Sequence, residues 1–144
     1  MTDHPWAEQG QKAHLGLDPL RFLIGEWQGV GHTHGAEAHG RMTVEPVLDG
    51  TWLRATEHIT EVNSGAETMD LSFYRYNVEA ESLQIFQLYE HAHLSTLLVE
   101  PTASGFRWIT GPLAPQLAFE RTKDGFQYCA SVDGNDAPLS QMSY

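Results

Sequence analysis

From Glu26 onward, the chain consists of short segments rich in β-branched and aromatic residues, separated by residues that favour turns. In the segment Thr51–Thr60, apolar and polar positions partly alternate, which is typical of a strand with one buried face. Asp49-Gly50, directly before this segment, is the clearest hairpin turn in the chain. The pattern therefore predicts strands over this part of the chain.

Turn signals divide this region into about ten predicted strands. They cover residues 26–34, 39–48, 51–62, 67–76, 82–89, 93–99, 105–110, 115–122, 125–132 and 138–144. The connections are too short for the crossover that parallel strands need, so consecutive strands should pair antiparallel. Closure into a barrel would remove both exposed edges. We therefore predict an all-β fold, a single antiparallel up-and-down β-barrel, with a two-sheet sandwich as the alternative.

The segment before the predicted barrel has a different character. Residues 1–17 show no sustained hydrophobic period, and we expect a flexible arm there. Asp18 and Pro19 then favour a helix start, with Asp as the N-cap and Pro at the first helical position. Because Gly25 ends the apolar run, only a short helix fits, and we expect it to close one mouth of a barrel domain covering residues 18–144.

A glycine-rich motif follows this short helix directly. Within Leu23–Gly31, the pattern Gly-x-Trp-x-Gly-x-Gly is formed by Gly25, Trp27, Gly29 and Gly31. It resembles the entry to the calycin barrels, and more narrowly to the nitrobindin-like and fatty-acid-binding-protein-like (lipocalin-like) barrels, which include bacterial families of unknown function. The segment Phe119–Tyr128 is similar to their last hairpin. The resemblance implies a ten-stranded barrel with an interior ligand site.

The same resemblance implies roles for two kinds of residue. In lipocalin-like barrels such a tryptophan often stacks under an arginine from a late strand, which would pair Trp27 with Arg121, or with Arg107 as second choice. The alternative is that Trp27 is simply part of the core. Nitrobindin-like proteins bind heme through a histidine near the chain's end, but Pro138–Tyr144 contains none. Heme binding therefore stays an alternative, in which Met142 or an internal histidine would have to replace that ligand.

Charge and composition narrow the range of partners. The chain has 8 Lys and Arg against 19 Asp and Glu, a net charge of −11 that leaves no basic surface for nucleic acid. No stretch approaches the roughly 18 apolar residues of a membrane span. No signal-peptide core follows the first residues, and Cys129, the only cysteine, cannot pair within the chain. The cytoplasm is therefore the expected location.

The strand predicted over 51–62 offers polar groups for a ligand on one face. Arg54 and His58 share that face, and the alternate face carries Leu53, Ala55, Glu57 and Ile59. If the Arg54 face is interior, Arg54 would meet a carboxylate and His58 would exchange a hydrogen bond with a mostly apolar guest. If it is exterior, both are solvated strand residues. The predicted ligand-binding residues are Trp27, Arg54, His58, Phe73, Tyr89, Trp108, Phe119, Arg121 and Tyr128.

Histidine groups are the only pattern that suggests a metal. His32, His34 and His39 could converge at a hairpin, but His32 and His34 would point outward if Trp27 points inward, so solvated histidines are favoured. His91 and His93 lie near a predicted turn and are expected to be exposed or hydrogen-bonded. We therefore predict no metal site.

No catalytic pattern is present. The chain lacks a Gly-x-Ser-x-Gly elbow, a His-Glu-x-x-His pair and a phosphate loop, and Cys129 is expected to be an inert thiol. The sequence thus favours a binding protein over an enzyme, with a small apolar or amphipathic molecule as its partner and no resident cofactor. A barrel that binds no ligand and serves as an interaction module is a further alternative. The Gly29 and Gly31 side of the first strand could then pack against a second copy.

Overall fold

The computed structural model describes residues 5–89, 94–109, 116–131 and 139–144. Helix α1 (Pro5–Gly16) is followed by a 3₁₀ helix (Asp18–Leu23). Within the described ranges the rest of the regular structure is ten strands: β1 (Gly25–Thr33), β2 (Ala36–Val47), β3 (Trp52–Glu61), β4 (Glu67–Asn77), β5 (Ser82–Tyr89), β6 (Leu94–Pro101), β7 (Gly105–Ile109), β8 (Gln116–Arg121), β9 (Phe126–Ser131) and β10 (Ser140–Ser143).

The strands form one closed antiparallel barrel. Each strand pairs with its neighbours in the chain, and β10 pairs with β1 to complete the ring. In the closing pair, Val30 lies opposite Ser143 and Thr33 lies opposite Ser140. Closure leaves no unpaired sheet edge, which is the physical reason that a meander of this length adopts it. The predicted up-and-down barrel is confirmed, and the sandwich alternative is wrong.

The alternation of buried and exposed residues shows which face of each strand points into the barrel. In β2, Ala38, Met42 and Val44 are buried while their neighbours are exposed, as expected for a strand with one face on the core. The densest aromatic packing involves Phe106 and Phe119, whose rings stack with centroids 4.4 Å apart. Phe106 of β7 also packs against Tyr74 of β4, with ring centroids 5.8 Å apart, so the core is continuous between strands that are distant along the sequence.

The 3₁₀ helix closes one mouth of the barrel. Leu20 and Leu23 are buried, and the ring of Phe22 contacts Phe106 and Phe126 with centroids 6.0 and 6.4 Å away. This confirms the predicted short helix at one mouth. Its start differs from the expectation, because the N-cap is Leu17 and makes no side-chain cap hydrogen bond.

A helix occupies most of the segment for which the sequence predicted a flexible arm, and the flexibility of that segment stays a prediction. Helix α1 occupies Pro5–Gly16 and packs against β4. A Cβ atom on Gly16 would lie 2.1 Å from the ring of Tyr76, so glycine permits this close approach. The helix has no strong apolar face of its own, and its position depends on tertiary contacts at its end, where Leu17 is fully buried. Such contacts leave little periodic signal in the sequence.

Glycines of β1 allow β10 to come close enough to close the ring. A Cβ atom on Gly31 would lie 1.8 Å from the backbone oxygen of Gln141, and one on Gly29 would lie 2.0 Å from that of Ser143. No side chain fits at such distances. Both glycines therefore lie against the backbone of β10. The homodimer that the sequence suggested for this side of β1 stays a prediction.

We expect Gly31→Ala to destabilise the protein by about 2 kcal/mol or more, because the added methyl group must separate β1 from β10. Urea unfolding followed by circular dichroism measures the change. Gly10→Ala in α1 is the control, because nothing lies within 4 Å of its added Cβ atom. Alanine favours a helix, so this variant should be neutral or slightly more stable. An unchanged unfolding midpoint for Gly31→Ala would contradict the role of close approach in ring closure.

Candidate functional site

A cavity of about 410 Å³ lies inside the barrel. It extends from Leu23, in the 3₁₀ helix, to Thr33 and Ser140 at the opposite end of the strands. This volume lies within the range of small-molecule sites. Its apolar wall includes Met42, Ala55, Ile59, Tyr74, Trp108, Leu117, Phe119, Tyr128 and Ala130.

Aromatic rings form a continuous part of this wall. The ring of Phe119 packs against Tyr128 and Trp108, with centroids 5.1 and 6.0 Å apart. The indole N–H of Trp108 is buried and has no hydrogen bond of normal geometry to a described residue. Burial raises the pKa of the nearby Tyr74 hydroxyl, and the indole N–H offsets part of that rise. An unsatisfied buried donor is rare in native cores, so this N–H adds a polar feature to a mostly apolar wall.

The carboxyl group of Glu57 is the central polar feature of the cavity. Glu57 lies on the inward face of β3 and lines the cavity, so part of its surface is accessible from within. The Tyr128 hydroxyl donates to its Oε2 at 2.8 Å and to its Oε1 at 3.0 Å. The Tyr144 hydroxyl donates to Oε2 at 2.5 Å. Residues from three separate parts of the chain therefore meet around one carboxyl group.

Burial has the largest effect on the pKa of the Glu57 carboxyl group. Desolvation raises the pKa of Glu57 from 4.5 to about 7, although the hydrogen bonds from Tyr144 and Tyr128 lower it in part. Asp70 lies opposite Glu57 in the β3–β4 register, and its negative charge raises the pKa further. Burial also raises the pKa of both tyrosines, so their hydroxyls stay protonated at neutral pH and act as donors. The carboxyl group can therefore gain or lose a proton near neutral pH.

A glycine on β2 makes room for the Tyr144 side chain. A Cβ atom on Gly40 would lie 2.2 Å from the Tyr144 hydroxyl oxygen. Any side chain at this position would displace the hydroxyl from Glu57. The hydrogen bond between Tyr144 and Glu57 thus depends on a residue without a side chain. Local sequence patterns do not reveal this role of Gly40.

The cavity is lined by acidic groups, and no lysine or arginine is among its described lining residues. Glu57, Glu61 and Asp70 all line it. Every lysine and arginine of the chain lies in the described ranges, and none is among the lining residues. The interior is therefore electrostatically negative.

The structure places the face of β3 that carries Arg54 and His58 on the outside of the barrel, which is the second of the two alternatives left open by the sequence. Arg54 has 44% of its side-chain surface exposed and forms an ion pair with Glu45 on the outside of the barrel. His58 is also exposed. Neither side chain therefore lies in the barrel interior, and a ligand contact by either residue stays a prediction. The physical reason for this orientation is that the opposite face carries Leu53, Ala55 and Ile59, whose burial is favourable.

Three of the predicted binding residues do line the cavity: Trp108, Phe119 and Tyr128. Phe73 does not, because its neighbours Ser72 and Tyr74 face inward and Phe73 lies on the outer face, opposite Phe86. The side chain of Tyr89 lies outside the described part of the structure. A ligand contact by any of these residues stays a prediction.

Trp27 and Arg121 do not stack on each other as the resemblance implied. The indole N–H of Trp27 donates to the Leu23 carbonyl at 2.7 Å, and its ring packs edge-on against Phe126 with centroids 5.2 Å apart. Trp27 thus belongs to the core beside the closed mouth. The Arg121 guanidinium instead lies 4.5 Å from the centre of the Phe22 ring, because the 3₁₀ helix inserts Phe22 there.

The described histidines lie mostly on the outside of the barrel. His32, His34, His39 and His58 are exposed, and no group of three potential ligands that could hold a metal occurs in the described ranges. Of the described histidines, only His34 lines the cavity, and it lies at the end away from the 3₁₀ helix. Met142 is fully buried in the core and is not a lining residue. Heme binding therefore stays an alternative prediction, for which His34 is the described histidine that reaches the cavity.

Two further predicted positions cannot be placed. His91 and His93 lie outside the described residues.

Among the helices that are described, none is long and apolar enough to cross a membrane.

We expect Glu57 to make the stability of the protein depend on pH. Between about pH 4.5 and 7, the folded protein keeps a proton on Glu57 that the unfolded chain releases. The free energy of unfolding should therefore fall as pH rises through this interval, by about 2 to 3 kcal/mol in total. Urea unfolding at about pH 5 and pH 8 measures this change, and Glu57→Gln should remove most of it.

The exposed Glu26 provides the matched control. Glu26→Gln should keep the pH dependence of the unaltered protein. The same pH dependence in Glu57→Gln as in the unaltered protein would show that Glu57 does not titrate in this interval.

No protein-family model matches the chain, and neither does any curated protein. The closed ten-stranded antiparallel barrel with an N-terminal helix is consistent with a calycin-like fold.

Proposed function

We propose that this protein binds a small, mostly apolar molecule inside its barrel, in the manner of lipocalin-like and fatty-acid-binding-protein-like carriers, and that it does so in the cytoplasm. The observation that carries the proposal is the interior cavity of about 410 Å³. Protein interiors are normally close-packed, so a space of this size is costly unless a ligand or water fills it. A barrel with a purely structural role would be expected to fill its interior with side chains.

The lining of the cavity supports the same proposal. Small-molecule sites combine an apolar wall with a few fixed polar groups that orient the ligand. Here Phe119 and Trp108 contribute wall, and the carboxyl group of Glu57 is held in place by Tyr128 and Tyr144. Because these polar groups are fixed before a ligand enters, little entropy is lost in ordering them on binding.

The proposal is tested with N-phenyl-1-naphthylamine, an uncharged probe whose fluorescence rises in apolar surroundings. Ala130 is buried and lines the cavity, so Ala130→Phe should fill part of the space and weaken binding by about tenfold or more. Fluorescence titration measures the affinity, and circular dichroism shows whether the variant is folded.

Arg54→Ala is the control because Arg54 lies on the outer surface. It should leave the affinity unchanged, and a loss of affinity would place the probe outside the barrel. No saturable binding by the unaltered protein, or equal binding by folded Ala130→Phe, would contradict the proposed function.

A further inference from the structure

The Glu57 carboxylate keeps acceptor capacity that the protein does not use. A carboxylate offers about four lone-pair sites. Tyr128 and Tyr144 direct their hydroxyls to Oε2, and Oε1 receives only the longer contact from Tyr128. Because Glu57 lines the cavity, the remaining sites are accessible to a ligand with a hydrogen-bond donor.

No lysine or arginine is among the described residues of the cavity wall around the Glu57 carboxylate. Glu61 and Asp70 add charge of the same sign, and the lysines and arginines lie elsewhere. A buried carboxylate without a positive partner is energetically unfavourable. A cationic ligand group would supply that partner, whereas a ligand carboxylate would be repelled.

The aromatic wall favours a cation as well. Tyr128, which binds Glu57 directly, packs against Phe119, and Trp108 lies beyond it in the same wall. Aromatic ring faces attract ammonium groups through their negative potential, and desolvation strengthens that attraction. A carboxylate beside several aromatic rings is thus suited to an amine attached to an apolar body.

From this arrangement we propose that the ligand is an apolar amine whose protonated nitrogen donates a hydrogen bond to the Glu57 carboxylate. The inference rests on the proposed function and adds the chemical class of the ligand. An interior Arg54 would have favoured a ligand carboxylate, whereas the proposed contact with Glu57 favours a ligand amine.

The test compares three ligands that share one naphthalene body: 1-naphthylmethylamine, 1-naphthalenemethanol and 1-naphthylacetic acid. Calorimetric titration at about pH 8 keeps Glu57 ionised, because its pKa is about 7, and leaves the alkylamine largely protonated. We expect the amine to bind about tenfold or more tightly than the alcohol, because hydrogen bonds between charged groups are the stronger ones. The acid should bind most weakly.

Two variants test whether the tighter binding of the amine depends on Glu57. Glu57→Gln should remove the advantage of the amine while the alcohol keeps its affinity within about threefold. Glu61→Gln changes another acid that lines the same cavity and should retain most of that advantage. An equal loss in both variants would overturn the direct contact with Glu57 in favour of a diffuse negative potential.

The outcomes separate this inference from the proposed function. If N-phenyl-1-naphthylamine binds in the cavity but the amine binds no better than the alcohol, the amine inference is wrong and the proposed function stands. If neither that probe nor any of the three ligands binds, the proposed function itself fails.

Discussion

The antiparallel pairing of β1 with β10 is the constraint on which the rest of the molecule depends. It joins the first strand to the last and leaves the sheet without a free edge. The pairing requires the backbone of β10 to pass where side chains at Gly29 and Gly31 would otherwise lie. It also directs the residue after β10, Tyr144, into the barrel toward Glu57. Ring closure and the arrangement of the cavity therefore have a common structural cause.

The Glu57 group shows how the barrel balances stability against a polar interior. Placing a carboxyl group among apolar residues costs free energy when it ionises, and the raised pKa expresses that cost. Hydrogen bonds from Tyr128 and Tyr144 offset part of it. A methionine or leucine at this position would pack without such a cost. A fixed carboxyl group in the wall of a cavity therefore agrees better with the proposed ligand contact than with a role in stability.

Acidic residues on the outside of the barrel have different neighbours from those that line the cavity. Arginines of the outer face form ion pairs with neighbouring glutamates, as Arg54 does with Glu45 and Arg107 with Glu100. Such exposed pairs contribute little to stability. The acids that line the cavity have no lysine or arginine beside them in the wall. The same excess of acidic residues therefore has different consequences on the two faces, since charge is screened by water outside and much less within.

The sequence by itself determined the order and approximate limits of the strands, because hairpin turns such as Asp49-Gly50 and alternating apolar positions are local signals. Short connections then required antiparallel pairing, and the number of strands favoured closure. Only the tertiary structure decided which face of β3 is interior, since both faces carry polar and apolar residues and the choice depends on what β2 and β4 present. It likewise decided that α1 forms and that Glu57 meets tyrosines 71 and 87 positions away. Contacts over such separations follow from the closed ring and not from any local pattern.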